Sequence, residues 1–246
     1  MSLNININYS RYLIRFCLFL AFLGHSLVSF KLSSSYALHF KLVESVNFTT
    51  LDSNTILSVH AFFDLLMALL VLIFDNKKII KLILIYFLIV CLVALVFYWK
   101  QTSHIFGIAE CMRRFPWIFF GLFLINNKYT FIRIGVSFAF LSHGLSSLEI
   151  LGMNQGHIEI ANNFFSIKDA KEFVKLTGFS DLIIGLFLLQ SFLTRYVIII
   201  ASLWLVLIVF ASFFVGFPDA IFRSGFLIAT IYVLIDKRTH EPLIKI

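Results

Sequence analysis

Residues 15–27 read RFCLFLAFLGHSL, and residues 133–145 read RIGVSFAFLSHGL. Arg15 and Arg133, two Ala-Phe-Leu triplets, His25 and His143, and Leu27 and Leu145 coincide at a constant offset of 118. Downstream, Asp64-Leu-Leu-Met-Ala-Leu69 falls on Asp181-Leu-Ile-Ile-Gly-Leu186 at an offset of 117, so one inserted residue accounts for the change. Gly107-Ile-Ala-Glu110-Cys-Met-Arg-Arg114 falls on Gly216-Phe-Pro-Asp219-Ala-Ile-Phe-Arg223 at 109. Leu and Phe matches are cheap in a chain with 31 Phe, whereas His, Asp and Arg matching inside three successive apolar runs are not. The pattern predicts a tandem of two units, 1–127 and 128–246, each of four helices. Four crossings return the chain to its starting side, so the units are expected to be parallel repeats about an axis along the membrane normal.

The composition agrees with that reading. Of 246 residues, 60% are hydrophobic and 13% charged, and the mean hydropathy is +0.96. Soluble domains are about 45–50% apolar and about 25% charged, so a water-soluble domain is excluded. Crossing about 30 Å of hydrocarbon takes about 20 mostly apolar residues. Runs near that length are expected at 12–30, 55–74, 79–99, 105–125, 131–150, 178–194, 196–215 and 220–235. The fold class expected is therefore all-α: a polytopic membrane protein of eight transmembrane helices in two parallel four-helix bundles.

The formal net charge of +7 reads as membrane orientation rather than nucleic-acid binding. With the N-terminus inside, the inner segments hold eleven Lys and Arg and the outer segments six. The positive-inside rule then places both termini in the cytoplasm. Residues 12–30 follow Arg11 and Arg15 as a secretory signal would, but the apolar run exceeds the usual 7–15 residues and lacks an A-x-A site. Cys17, Cys91 and Cys111 lie in separate apolar runs without C-x-x-C spacing, which argues against a disulfide framework or a zinc site. In the second outer loop, Ser166-Ile-Lys-Asp169 resembles a capping box. Ile167, Ala170, Phe173 and Val174 then repeat at helical spacing, predicting either an interfacial amphipathic helix or a loop helix packed on the bundle.

Between Leu82 and Trp99 and between Val197 and Val215, the third and seventh runs carry no ionisable carboxylate, His, Lys or Arg and are expected to face lipid. The other ionisable groups within spans are expected to face the bundle interior or a wet cavity. Helical rise puts His25 about 8 Å, and Asp64 and Arg114 about 13 Å, below the outer helix ends, so all three can share a layer. His143, Asp181 and Arg223 repeat the arrangement. An intramembrane Asp costs about 2.5–3.5 kcal/mol and each Leu, Ile, Phe or Val returns about 0.3–0.6, so the segment around Asp64 inserts without needing a partner. Two sets of the same three residue types are nonetheless economically read as Asp–Arg pairs with His as a third member. Such a triad serves as helix glue, worth about 0.6 kcal/mol per interhelical contact, or as a site for a quinone headgroup or proton-coupled solute.

Glu110, Asp219 and His60 are secondary candidates, His60 because it stands four residues before Asp64 and shares its face. Gly107 and Pro116 in one run, and Gly216, Pro218 and Gly225 in the other, predict interrupted helices of the kind that line binding sites, although proline at a first helical turn is also ordinary. His39, His104 and His157 read as solvated rather than as metal ligands, and no metal site is expected. No G-x-S-x-G, Walker, H-E-x-x-H or dinucleotide fingerprint is present, so catalytic residues are not assigned.

Residues 133–148, RIGVSFAFLSHGLSSL, resemble the opening helix of DoxX-like membrane proteins. Residues 177–195, TGFSDLIIGLFLLQSFLTR, resemble that family's second helix, with an acid before a Gly- and Leu-rich run that ends at Thr-Arg. The first half keeps Arg15, His25 and Asp64 but not the later glycine. The resemblance implies a four-helix unit, here doubled, in the bacterial cytoplasmic membrane. It further implies a link to quinone-coupled oxidation or redox-stress complexes as a subunit without its own redox centre. The expected partners are the lipid bilayer and another membrane or redox subunit. The expected function is a membrane subunit or small-ligand site, quinone being the one cofactor suggested, with a solute or proton-coupled transporter and a structural anchor as the rival readings.

Overall fold

The computed structural model describes residues 6–32, 40, 43, 52–101, 111–148, 158, 161–162, 166–190, 194–214 and 216–240, with backbone alone for 94, 96–101 and 194. Eight α-helices run through them: α1 (Ile7–Ser29), α2 (Ser53–Ile73), α3 (Lys77–Gln101), α4 (Phe115–Asn126), α5 (Thr130–Ser147), α6 (Ala170–Leu189), α7 (Thr194–Ser212) and α8 (Phe217–Ile235). A short 3-10 helix, Lys237–His240, follows α8. There is no strand among the described residues.

Among the described residues, four helices are long and apolar enough to cross a membrane: α1, α2, α7 from Arg195 onward, and α8. The protein is therefore an all-helical, membrane-embedded chain, and the expectation of eight such spans is not met. With 12 residues, α4 covers about 18 Å at 1.5 Å per residue, well short of the hydrocarbon thickness. Its chain turns at Arg113 and Arg114, and Pro116 stands in the first turn of the helix that follows. Pro218 does the same at the start of α8, where a proline's missing N–H leaves no helical bond unmade. The fourth run is thus broken at Arg113–Arg114, with Pro116 in the first turn of the piece that follows, whereas α8 runs unbroken from Phe217 through Gly225.

The helices pack in a ring of neighbours. α1 lies against α2, α8 and α4, while α5 lies against α6, α4 and α8; α3 bridges α2 and α4, and α7 bridges α6 and α8. Ile14, Leu18, Phe22, Trp117, Phe120, Phe123, Ile132 and Tyr232 fill the shared core. Close approach decides the α5–α6 contact, because a Cβ on Gly144 would fall 2.7 Å from the Gly178 carbonyl oxygen, and one on Gly178 would fall 2.6 Å from Ser147 Cβ. Gly178 is consequently a packing residue inside one continuous helix. The segment 166–177, expected as an interfacial helix or a loop helix packed on the bundle, forms the first two turns of α6, which starts after Asp169 and buries Ala170 and Val174 against Ala161.

Basic residues organise the end where α2 meets α3. Arg15 donates from Nε to Val71 O at 2.8 Å and also bonds Leu72 O, satisfying C-terminal carbonyls that a helix leaves open. Arg11 pairs with Asp75 and donates to Leu124 O and Asn127 Oδ1, each at 2.6 Å. Arg133, in the first turn of α5, is fully buried, and its guanidinium nitrogens have no hydrogen-bond partner among the described residues. Tyr232 bonds Ser10 and Asp236, while Arg238 holds Asp236 and lies over the Tyr129 ring, 3.9 Å from its centroid. These contacts tie α1, α5 and the end of α8 together.

Candidate functional site

Two carboxylates lie deep in the helical bundle, each bridging three helices. On α2, Asp64 is 2% exposed, and its Oδ2 stands 2.7 Å from His25 Nδ1 of α1. Its Oδ1 accepts a hydrogen bond of 2.6 Å from the Tyr86 hydroxyl of α3. On α6, Asp181 is fully buried; its Oδ2 stands 2.6 Å from His143 Nδ1 of α5, and its Oδ1 accepts a 3.0 Å bond from Trp204 Nε1 of α7. A buried carboxylate is costly unless its oxygens find donors, and here each oxygen has a separate one.

His25 and Asp64, and His143 and Asp181, come together as the sequence suggested. The arginines do not join them in the way expected, since Arg223 donates to Ser212 Oγ at 2.7 Å and approaches Asp219 at 4.0 Å, while Asp181 is held by His143 and Trp204. Arg114 lies at the turn before α4, near enough for its charge to act on His60 and Tyr86, but Asp64 takes its hydrogen bonds from His25 and Tyr86. The expected Asp–Arg pairs are thus Asp–His pairs completed by an aromatic donor. Glu110, His39, His104, His157 and Gly107 fall outside the described residues.

Sequence reading does not reach Tyr86 and Trp204, because the stretches Leu82–Trp99 and Val197–Val215 carry no ionisable carboxylate, His, Lys or Arg and read as lipid-facing. Most of their surface does face outward: Leu82, Ile85, Leu88, Leu203, Val206 and Phe210 are all exposed. Each helix nonetheless turns one polar aromatic inward, as residues with an apolar body and a single donor can do at low cost. The signal was present, since Tyr86 and Trp204 are separated by the same 118 positions as His25 and His143.

The two clusters differ in their surroundings. Around Asp64, His60 adds a second imidazole with Nε2 3.4 Å from Oδ2, and its Nδ1 lies 3.1 Å from the Tyr86 oxygen. The rings of His25 and His60 meet edge to face, their centroids 5.4 Å apart. Around Asp181 the residue four positions earlier is Thr177, whose hydroxyl donates to Val174 O. Here a cleft opens, with a cavity volume of about 70 Å³. His143, Thr177, Trp204 and Arg223 supply its polar groups, and Phe173, Val174, Leu207 and Ile208 much of its apolar wall.

No family model, curated protein or solved structure matches the chain.

Proposed function

We propose that the protein is a DoxX-like, membrane-embedded small-ligand site built as two parallel copies of a four-helix unit, 1–127 and 128–246. The cleft beside Asp181 takes a quinone or a molecule of like chemistry: an apolar body with a hydrogen-bond-accepting head. The observation that carries this reading is the lining of the cleft, mostly apolar wall with an imidazole and a guanidinium converging on it, the usual make-up of a site for a small amphipathic molecule. His143 is steadied through Nδ1 by the buried carboxylate, so its ring is oriented before any ligand arrives. Arg223 is steadied by Ser212.

The tandem arrangement rests on matching contacts. A Cβ on Gly225 would fall 2.8 Å from the Cys17 carbonyl oxygen, and one on Gly135 would fall 3.0 Å from that of Pro116. Cys17 and Gly135 are 118 apart and Pro116 and Gly225 are 109 apart, the offsets of their own helices. The polar clusters would then be two versions of one site, with the Asp181 version open to a ligand. In this arrangement the protein sits in the bacterial cytoplasmic membrane with both termini inside and serves a redox partner as a subunit.

The test is organic extraction of the full chain purified in mild detergent, with mass spectrometry of the extract, beside the Asp181→Asn form. One quinone per chain in the natural protein, and a several-fold loss in the variant at equal monodispersity, is the expected result. A chain that carries no quinone, or carries it equally in both forms, would sink the reading.

A further inference from the structure

The Asp64 cluster contains an arrangement for which the quinone reading has no use. His25 Nδ1, His60 Nε2 and Asp64 Oδ2, donated by two helices, lie within 4.8 Å of one another. His60 and Asp64 are four residues apart on α2, the spacing that puts two side chains on one helical face. Zinc bonds to imidazole and carboxylate are about 2.0–2.2 Å, so the ligand atoms around a tetrahedral ion stand about 3.3 Å apart. Two of the distances here are 2.7 Å and 3.4 Å and the third, between the imidazoles, is within 4.8 Å, so an ion is seated by drawing the two rings together around Asp64 Oδ2.

The hydrogen-bond inventory points the same way. The Tyr86 hydroxyl has one proton, and it goes to Asp64 Oδ1 at 2.6 Å. Its oxygen must therefore accept from His60 Nδ1, 3.1 Å away, which leaves the Nε2 lone pair of a neutral His60 facing the carboxylate oxygen at 3.4 Å. Two lone pairs opposed at that distance inside a bundle repel each other, and a proton or a metal ion between them relieves the repulsion. Tyr86 is also the outer partner that metal-bound imidazoles and carboxylates commonly have, since it fixes the tautomer of His60 and the rotation of Asp64 at once.

We propose that His25, His60 and Asp64 form a binding site for one divalent first-row transition-metal ion, with His60 as the ligand that separates this cluster from the one at Asp181. Two imidazoles and a carboxylate suit zinc, cobalt or ferrous iron rather than magnesium or calcium, which prefer all-oxygen shells. Three protein ligands leave a fourth position for water or a small anion. Thr177 stands where a third ligand would be needed beside His143 and Asp181, and its hydroxyl is already bonded to Val174 O. The proposal is independent of whether a quinone occupies the other cleft.

The experiment uses the full chain in detergent, stripped with chelator and titrated with Co²⁺ while the visible d–d bands and bound metal per chain are recorded. One Co²⁺ per chain is expected, with the intense bands of a four-coordinate site, displaced by Zn²⁺ and not by Mg²⁺. Tyr86→Phe should weaken binding about 10- to 100-fold by freeing the carboxylate and the His60 tautomer. His60→Gln should abolish the bands, and Thr177→His should raise the stoichiometry towards two. Absence of binding by the natural chain overturns the proposal without recourse to any variant. Binding that survives in a monodisperse His60→Gln form, or a Thr177→His form that stays at one ion, overturns the role given to His60.

Discussion

At the scale of single residues, two carboxylates beyond the helix ends, Asp75 and Asp236, contribute acid sensitivity. The hydrogen bond from Arg11 holds Asp75 below the ordinary carboxylate range; burial opposes it, and the charges of Arg11 and Arg15 add to it. Asp236 is also held low, because although burial pushes it up, its bonds from Arg238 and Tyr232 more than offset that. A carboxyl whose folded pKa lies below its unfolded value of about 3.9 contributes stability that is fully present above that value and lost as pH falls through the folded one. The melting temperature of the detergent-solubilised protein should therefore hold from neutrality to about pH 5 and drop below about pH 4. Asp75→Asn should start lower and lose less over the same interval, and a variant with an undiminished acid drop would show that the Arg11 pair contributes nothing. The residue scale is also where sequence reading was most selective. His25, Asp64, His143 and Asp181 stood out as rare types in apolar runs, whereas Tyr86 and Trp204 were aromatics among many aromatics.

Among the elements, helix contacts are set by backbone approach as much as by side-chain fit. Without a hydrophobic force between helices in lipid, association depends on close packing and interhelical hydrogen bonds, and small residues allow both. α5 and α6 show this where Gly144 and Gly178 meet, and nearby the Ser137 hydroxyl donates to Gly185 O at 2.6 Å. Gly144→Leu places its Cβ 2.7 Å from one backbone atom and 2.9 Å from another, the Leu182 nitrogen, neither of which can rotate away. Overpacking of this kind costs about 1–3 kcal/mol or more, and the shift would also pull His143 away from Asp181. The expected outcome is loss of the monodisperse peak on size exclusion. Gly121→Ala is the control, because its nearest obstacle is the movable end of Leu84, and it should lower the melting temperature by only a few degrees. Equal behaviour of the two would remove backbone approach as the deciding feature.

Taken as a whole molecule, the protein places its two clusters in separate sets of helices. Arg11, Arg15 and Asp75 gather near the α2–α3 turn, and Arg238 and Asp236 lie beyond the end of α8. The proposed topology puts both regions in the cytoplasm and Lys168 outside. In a form whose native cysteines are replaced, Lys78→Cys and Lys237→Cys should react with a membrane-impermeant maleimide only after permeabilisation, and Lys168→Cys in intact cells. Labelling of Lys78→Cys and Lys168→Cys from the same side would overturn the orientation and, with it, the parallel tandem.

The amino-acid sequence by itself settled that this is a helical, membrane-embedded protein, and it singled out the histidines and aspartates that meet in its interior. Hydropathy decides the first because transfer free energies add along a segment whatever its neighbours do. The second was readable because charged groups in such segments are expensive and therefore few. That each carboxylate takes its second hydrogen bond from an aromatic side chain rather than from arginine was decided by tertiary structure. Helical periodicity gives the height of Arg114, Tyr86 or Trp204 along its axis, but the rotation of that helix towards its neighbours comes from packing, where a glycine or a proline turn fixes the approach. Tertiary structure also decided that Pro116 and Pro218 begin helices, and that His60 completes one cluster while Thr177 leaves the other as a cleft.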